Sequence, residues 1–173
     1  ERGLLDAVKQ VIGAYLQGNQ DAMKNPDKPD AIMWPETAYP SLFGNPQSPS
    51  DRDAEIAMHQ FASDTKPTLI FGGYDRDLEG LEYNSIFFIS EHPHAEQSVY
   101  HKNVLLMFGE TLPFADTFPV MKEWFPTMGF FGRGPGAEIN LVKNLAGEDF
   151  NLAPSIGYEG LSSKLAVDAA LLH

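Results

Sequence analysis

The sequence contains no cysteine. That excludes disulfides, thiolate metal sites and any thiol nucleophile, and it leaves the redox compartment open, because a cysteine-free protein tolerates either. Basic residues are also scarce, 12 against 24 acidic ones, for a net charge of −12. Nucleic-acid backbones are bound through clustered Lys and Arg, so nucleic acid is not an expected partner. No apolar run approaches the roughly 20 residues of a membrane-spanning helix, and no basic-then-apolar leader opens the chain, so the polypeptide is expected to be soluble. Internal repeats and low-complexity tracts are lacking too. What is present is 173 residues, 43% hydrophobic and 12% aromatic, enough for one globular domain with its own core.

Leu4, Val8, Val11, Ile12 and Tyr15 recur at helical spacing, and the polar stretch from Gly18 to Asp30 is expected to end that helix. Ala31 to Trp34 reads as a buried strand stopped by Pro35, with Glu36 pointing outward beyond it. Ser50 or Asp51 can cap a second helix running to about Asp64, with Ala54, Met58, Phe61 and Ala62 on one face and Pro67 as its stop. Thr68–Gly73, Asn84–Ser90 and Gln97–Lys102 read as strands of a meander, the first two joined by the charged, Gly-containing segment 75–80. Strands are also expected at Ile139–Val142 and Leu152–Ile156, followed by a helix from Ser162 to Leu172. Helices alternating with apolar strands predict an α/β layered fold.

Three segments place charged residues at strand ends: Trp34-Pro35-Glu36-Thr37-Ala38, Tyr100-His101-Lys102 leading into Phe108-Gly109-Glu110, and Ile156-Gly157-Tyr158-Glu159. A single such residue is ordinarily a solvated loop residue. In this order, the three together resemble the signature of the nitrilase (carbon-nitrogen hydrolase) superfamily, in which a Glu, a Lys and a Cys converge on one pocket. W-P-E-S/T-A and Y-H-K followed by F-G-E and P resemble its apolipoprotein N-acyltransferase branch, and the likeness covers nearly the whole chain.

The resemblance implies an α-β-β-α sandwich, a single partial domain over residues 1–173 that is incomplete at both ends and is normally joined to a transmembrane bundle absent from this sequence. It implies a bacterial protein of lipoprotein biosynthesis at the periplasmic face of the inner membrane, with a phospholipid acyl donor, a lipidated apolipoprotein acceptor, the membrane surface as partner and no cofactor. Glu36 matches the general base, Lys102 the cation that stabilises the oxyanion, and Glu110 and Glu159 the acidic residues around the pocket, with Tyr158 beside them. Either acid would orient Lys102 or the attacking amine. Three carboxylates near one Lys are expected to shift one another's protonation, because like charges in a poorly solvated cleft do not all ionise freely. At Gly157 the sequence departs from the family's I-C-Y-E pattern, whose Cys supplies the thiolate. Glycine carries no nucleophile, so this copy is expected not to form the acyl-enzyme. Ser155, alternating with 157 along the expected strand, is the conceivable substitute. Two rival readings remain: a soluble nitrilase-type amidase, and a degenerate domain that binds lipid or lipoprotein without turnover.

Between Phe108 and Phe131 the chain is rich in Gly, Pro and aromatic residues. It reads either as core or, in keeping with the resemblance, as an arm in which Phe114, Phe118, Trp124 and Phe125 dip toward the membrane and guide an acyl chain. His92 and His94 have the spacing of a metal pair but lie in a polar segment with no third ligand, so no metal is expected. Phe131–Gly136 lacks the Gly-Lys-Ser/Thr ending of a phosphate loop and reads as a turn. Phe71-Gly72-Gly73-Tyr74 is suited to a close backbone approach or to a bulge at a strand end.

Overall fold

A computed structural model describes residues 2–91, 98–111 and 130–172. Helix α1 (Arg2–Met23) runs two turns beyond the expected stop. The reason is Asn19, which follows Ile12, Tyr15 and Leu16 on the core-facing stripe and is itself buried. Its Oδ1 accepts a 2.9 Å hydrogen bond from the Trp34 indole, and Tyr15 stacks on the same indole at 4.8 Å. A polar residue therefore continues an apolar face because a buried N–H requires an acceptor there.

Helix α2 (Pro49–Thr65) has its cap two or three residues earlier than expected. Ser48 caps it by accepting from Asp51 N at 3.1 Å, and Pro49 occupies the first position, where a missing N–H costs nothing. Asp51 instead turns back, its Oδ2 accepting from Ser41 Oγ and Gln47 N at 3.0 and 3.1 Å.

The main sheet has the order β1 (Ala31–Met33), β2 (Thr68–Arg76), β3 (Glu82–Ile89), β4 (Ser98–His101). β1 runs parallel to β2, in register Ala31 with Thr68, and the remaining pairs are antiparallel, as the meander required. At the β2–β3 turn Asp77 Oδ1 accepts from the backbone of Glu79 and Leu81, both at 2.9 Å. Alternation along β2 and β3 sorts the core. Leu69, Phe71, Phe87 and Ile89 face α1 and α2, packing with Met58 and Tyr39. Ile70, Phe88 and Tyr100 face the other way, onto Val142 and Ile156.

That second layer is a hairpin, β5 (Asn140–Lys143) with β6 (Asp149–Leu152). The expected strand over 152–156 is corrected: pairing stops at Leu152 and the chain passes through Pro154 into a 3-10 turn, Gly157–Leu161. Ser155 therefore does not alternate with position 157 on a strand. A short helix, α3 (Ser163–Ala170), follows with Ser162 as its cap; it buries no residue, and Leu161, Val167, Leu171 and Leu172 are exposed. Among the described residues no helix is long and apolar enough to cross a membrane.

Gly72 sits mid-strand and is neither bulge nor turn. Its close approach is to the chain itself: a Cβ there would lie 2.6 Å from Thr37 N and 2.7 Å from Glu36 Cα. Gly72→Ala should therefore cost about 1–3 kcal/mol, the usual range for overpacking against atoms that cannot yield. Gly13→Ala, on a helix with nothing within 4 Å of the added methyl, should gain roughly 0.5–1 kcal/mol. Thermal melts of the two variants moving in the same direction would contradict this packing.

Candidate active site

Four segments meet at one end of the main sheet, three of them bringing charge. After β1, Trp34 N donates to Ile70 O at 2.8 Å, and Pro35 O accepts from Ala38 N and Gly72 N, both at 3.3 Å. With Thr37 at φ 53°, this tight turn projects Glu36 beyond the strand. Lys102 directly follows β4, and its backbone N–H donates to Asn84 O at 2.9 Å. Glu110 closes a small loop on itself: its N–H donates to Leu106 O and its Oε2 accepts from Leu106 N, each at 2.8 Å. Gly157 opens the 3-10 turn at φ 55°.

Lys102 is only 4% exposed. Its Nζ lies 2.8 Å from Glu110 Oε1 and 3.6 Å from Glu36 Oε1. Asn84, on β3 and also buried, donates through Nδ2 to both carboxylates, at 2.8 Å to Glu36 and 3.2 Å to Glu110. Burial alone would push the Glu110 carboxyl up. The Leu106 N–H, the Lys102 ammonium and the Asn84 amide outweigh that and hold it below its ordinary value,. For Glu110, then, the expected repulsion between like charges yields to its donors. Tyr74, at the end of β2, has its hydroxyl pushed up by burial and by the neighbouring Glu36 and Glu110 charges. Its ring stacks on Phe131 at 5.5 Å.

The remaining expected residues are placed differently. Glu159 is 2% exposed and does not reach Lys102. Its Oε1 accepts from the backbone of Asn103 and of Val104, the latter at 2.9 Å, while Oε2 accepts from Tyr100 OH at 2.9 Å and Ile156 N at 2.8 Å. It clamps the segment after Lys102 to the segment before Gly157. Tyr158 is 60% exposed and turned to solvent. Phe131–Gly136 is not simply a turn: Gly132 N donates to Glu82 O at 2.7 Å and Gly134 N to Lys102 O at 2.9 Å, which ties residues 131–134 to the end of the sheet, and the bend lies at Pro135-Gly136. His92, His94, Phe114, Phe118, Trp124 and Phe125 lie outside the described residues, and among those described no cluster could hold a metal ion.

Gly157 completes the geometry. A Cβ at this position would stand 3.4 Å from Glu36 Oε2 and 3.7 Å from Lys102 Nζ, in ordinary contact with both. Glu36 and Gly157 also line a cavity of about 500 Å³ whose apolar wall includes Met33, Ile70, Ile86 and Leu152; Ser155 lies on it as well.

Similarity to known proteins accords with this geometry. Over 141 residues, 77% of the chain, it is 34% identical to the apolipoprotein N-acyltransferase of Bdellovibrio bacteriovorus. It is 32% identical over 137 residues to that of Vibrio vulnificus and 30% identical over 163 residues to that of Pseudomonas putida. In the part of them that it matches, the chain is a relative of the apolipoprotein N-acyltransferases. It spans about a quarter of the length of these relatives. No protein-family model matches it. Two solved structures share its fold. A glutamine-dependent NAD+ synthetase from Acinetobacter baumannii superposes with TM-score 0.58 at 17% identity, over 97% of this chain and 28% of that one. An N-terminal amidase bound to an Asn-Glu-Ala peptide superposes with TM-score 0.54 at 20% identity, over 87% of this chain and 36% of that one. The chain thus has the nitrilase-type α/β fold.

Sequence reasoning missed Asn84, whose signal was a polar Asn84-Ser85 pair inside an otherwise apolar strand, and it gave Glu159 a role in the pocket rather than beneath it. Glu159→Gln would turn an amide N–H₂ toward backbone donors and should cost about 2–4 kcal/mol, as expected when hydrogen bonds to a buried charge are lost. Unfolding at the wild-type temperature would show that the clamp is not structural.

Proposed function

We propose that residues 1–173 are one carbon-nitrogen hydrolase domain built to move an acyl chain from a phospholipid to the N-terminal amine of a lipidated apolipoprotein, at the periplasmic face of the bacterial inner membrane. We propose further that this copy does not make the covalent intermediate. The observation that carries the reading is the position of Gly157, whose absent side chain would lie between Glu36 Oε2 and Lys102 Nζ.

With a Cys at 157, each group has a definite task. Glu36 takes the thiol proton through Oε2 while Asn84 holds its Oε1, and the thiolate attacks the ester carbonyl. Lys102, fixed by Glu110, faces the negative charge that develops on the carbonyl oxygen. Glu36 returns the proton to the departing alcohol; in the second half-reaction it deprotonates the incoming amine as that amine attacks the thioester carbonyl, the carbon–sulfur bond breaks, and the released thiolate takes the proton from Glu36. The apolar wall of the cavity suits the acyl chain, and the aromatic segment with Phe114, Phe118, Trp124 and Phe125 serves as the membrane arm. With glycine at 157 the first bond does not form, and the domain binds its lipid without passing through a thioester.

The test is Gly157→Cys, incubated with phospholipid vesicles and analysed by intact-protein mass spectrometry. The expected result is an acyl adduct on Cys, in a protein about 1–2 kcal/mol less stable because a side chain is forced to positive φ. A folded variant that acquires no adduct contradicts the reading.

A further inference from the structure

Taking that reading as its basis, we infer that glycine at position 157 changes the chemistry of the site rather than ending it: the site activates water directly and hydrolyses an acyl ester in a single displacement. A water site in a protein needs room for one molecule and two to four polar partners. Both are present beyond the Gly157 Cα. The position opens onto the cavity of about 500 Å³, and the Cβ point lies within 3.4 Å of a carboxylate oxygen and 3.7 Å of an ammonium nitrogen.

Among the described residues, nothing else engages the two partners on that side. Asn84 occupies Glu36 Oε1, which leaves Oε2 directed at position 157. Lys102 directs one N–H to Glu110 and one toward Glu36, and an ammonium has three. Glu36 has 43% of its side-chain surface exposed, so solvent reaches it, whereas the side chain of Lys102 is 5% exposed and its charge is poorly screened.

The step balances without any further reactant. The water oxygen forms a bond to the acyl carbonyl carbon as its proton passes to Glu36 Oε2. Lys102 stabilises the resulting oxyanion. The carbon–oxygen bond to the alcohol then breaks, the alkoxide takes the proton from Glu36, and a carboxylic acid and an alcohol leave. An acyl thioester, or any covalent adduct with the protein, plays no part. The substrate class is an ester with an apolar acyl chain, matched to the wall formed by Met33, Ile70, Ile86 and Leu152.

The test uses p-nitrophenyl butyrate in water enriched in heavy oxygen, with the wild-type chain, Glu36→Gln, Gly157→Ala and Gly157→Cys in parallel, each first shown to be folded by circular dichroism. The wild type should release nitrophenol linearly without a burst, place heavy oxygen in the butyrate, carry no adduct, and exceed Glu36→Gln at least tenfold, in line with the usual worth of a general base. Gly157→Ala, which puts a methyl group in the space between the two charges and adds no nucleophile, should fall toward Glu36→Gln. Wild-type turnover no greater than that of Glu36→Gln, alongside an acyl adduct on Gly157→Cys, overturns direct hydrolysis and leaves the acyl-transfer reading standing. Undiminished turnover by Gly157→Ala overturns the placement of the water. Absence of both turnover and adduct overturns the two together.

Discussion

An ammonium group taken out of water costs several kcal/mol unless partners replace its hydration, and Lys102 is almost wholly withdrawn from solvent. Much of the site answers that requirement. Glu110 supplies the near carboxylate and Glu36 the farther one. Asn84 ties the two together from a neighbouring strand. The loop from Leu106 to Glu110 folds back on itself so that Glu110 can reach in, and Gly134 caps the Lys102 carbonyl.

The scaffold beneath is arranged to hold those groups still. Gly72 allows the Glu36 turn to press against β2, and Glu159 binds the segments carrying Lys102 and Gly157 to each other through four donors. Buried Tyr100 supplies one of those donors; burial and the adjoining Glu159 push its hydroxyl up, so it remains a neutral donor. Reactive geometry is preserved by such supporting contacts, since a shift of about an ångström in a reacting group is costly.

Much of this was legible in the sequence because periodicity and charge at strand ends are local signals. The Thr68–Gly73 and Asn84–Ser90 strands and the Pro67 stop are of that kind, whereas the roles looked for at Glu36, Lys102 and Glu110 came from the resemblance that their motifs carry. What was not legible depended on partners far along the chain. Asn19 looks like a helix breaker until Trp34 is seen to need its oxygen. Leu152–Ile156 looks like a strand until the pairing with β5 ends and Pro154 leads the chain away. Glu159 looks like a pocket acid until its backbone donors, 55 and 56 residues away, are counted. The cysteine-free composition excluded a thiol at the outset, and the structure added that a Cβ at Gly157 would stand beside Glu36 and Lys102.

At the heart of the site the buried Lys102 is hydrogen-bonded to the part-buried Glu110. A carboxyl with a folded pKa below its unfolded value lends stability above the unfolded pKa and loses it as pH falls through the folded one. The direct measurement is a carbon-13 NMR titration of the Glu110 carboxyl in the wild type and in Lys102→Met. The midpoint is expected below the ordinary value of 4.5 in the wild type and higher in the variant, where burial acts with one fewer donor. A wild-type midpoint at or above the ordinary value, or no rise in the variant, would contradict it.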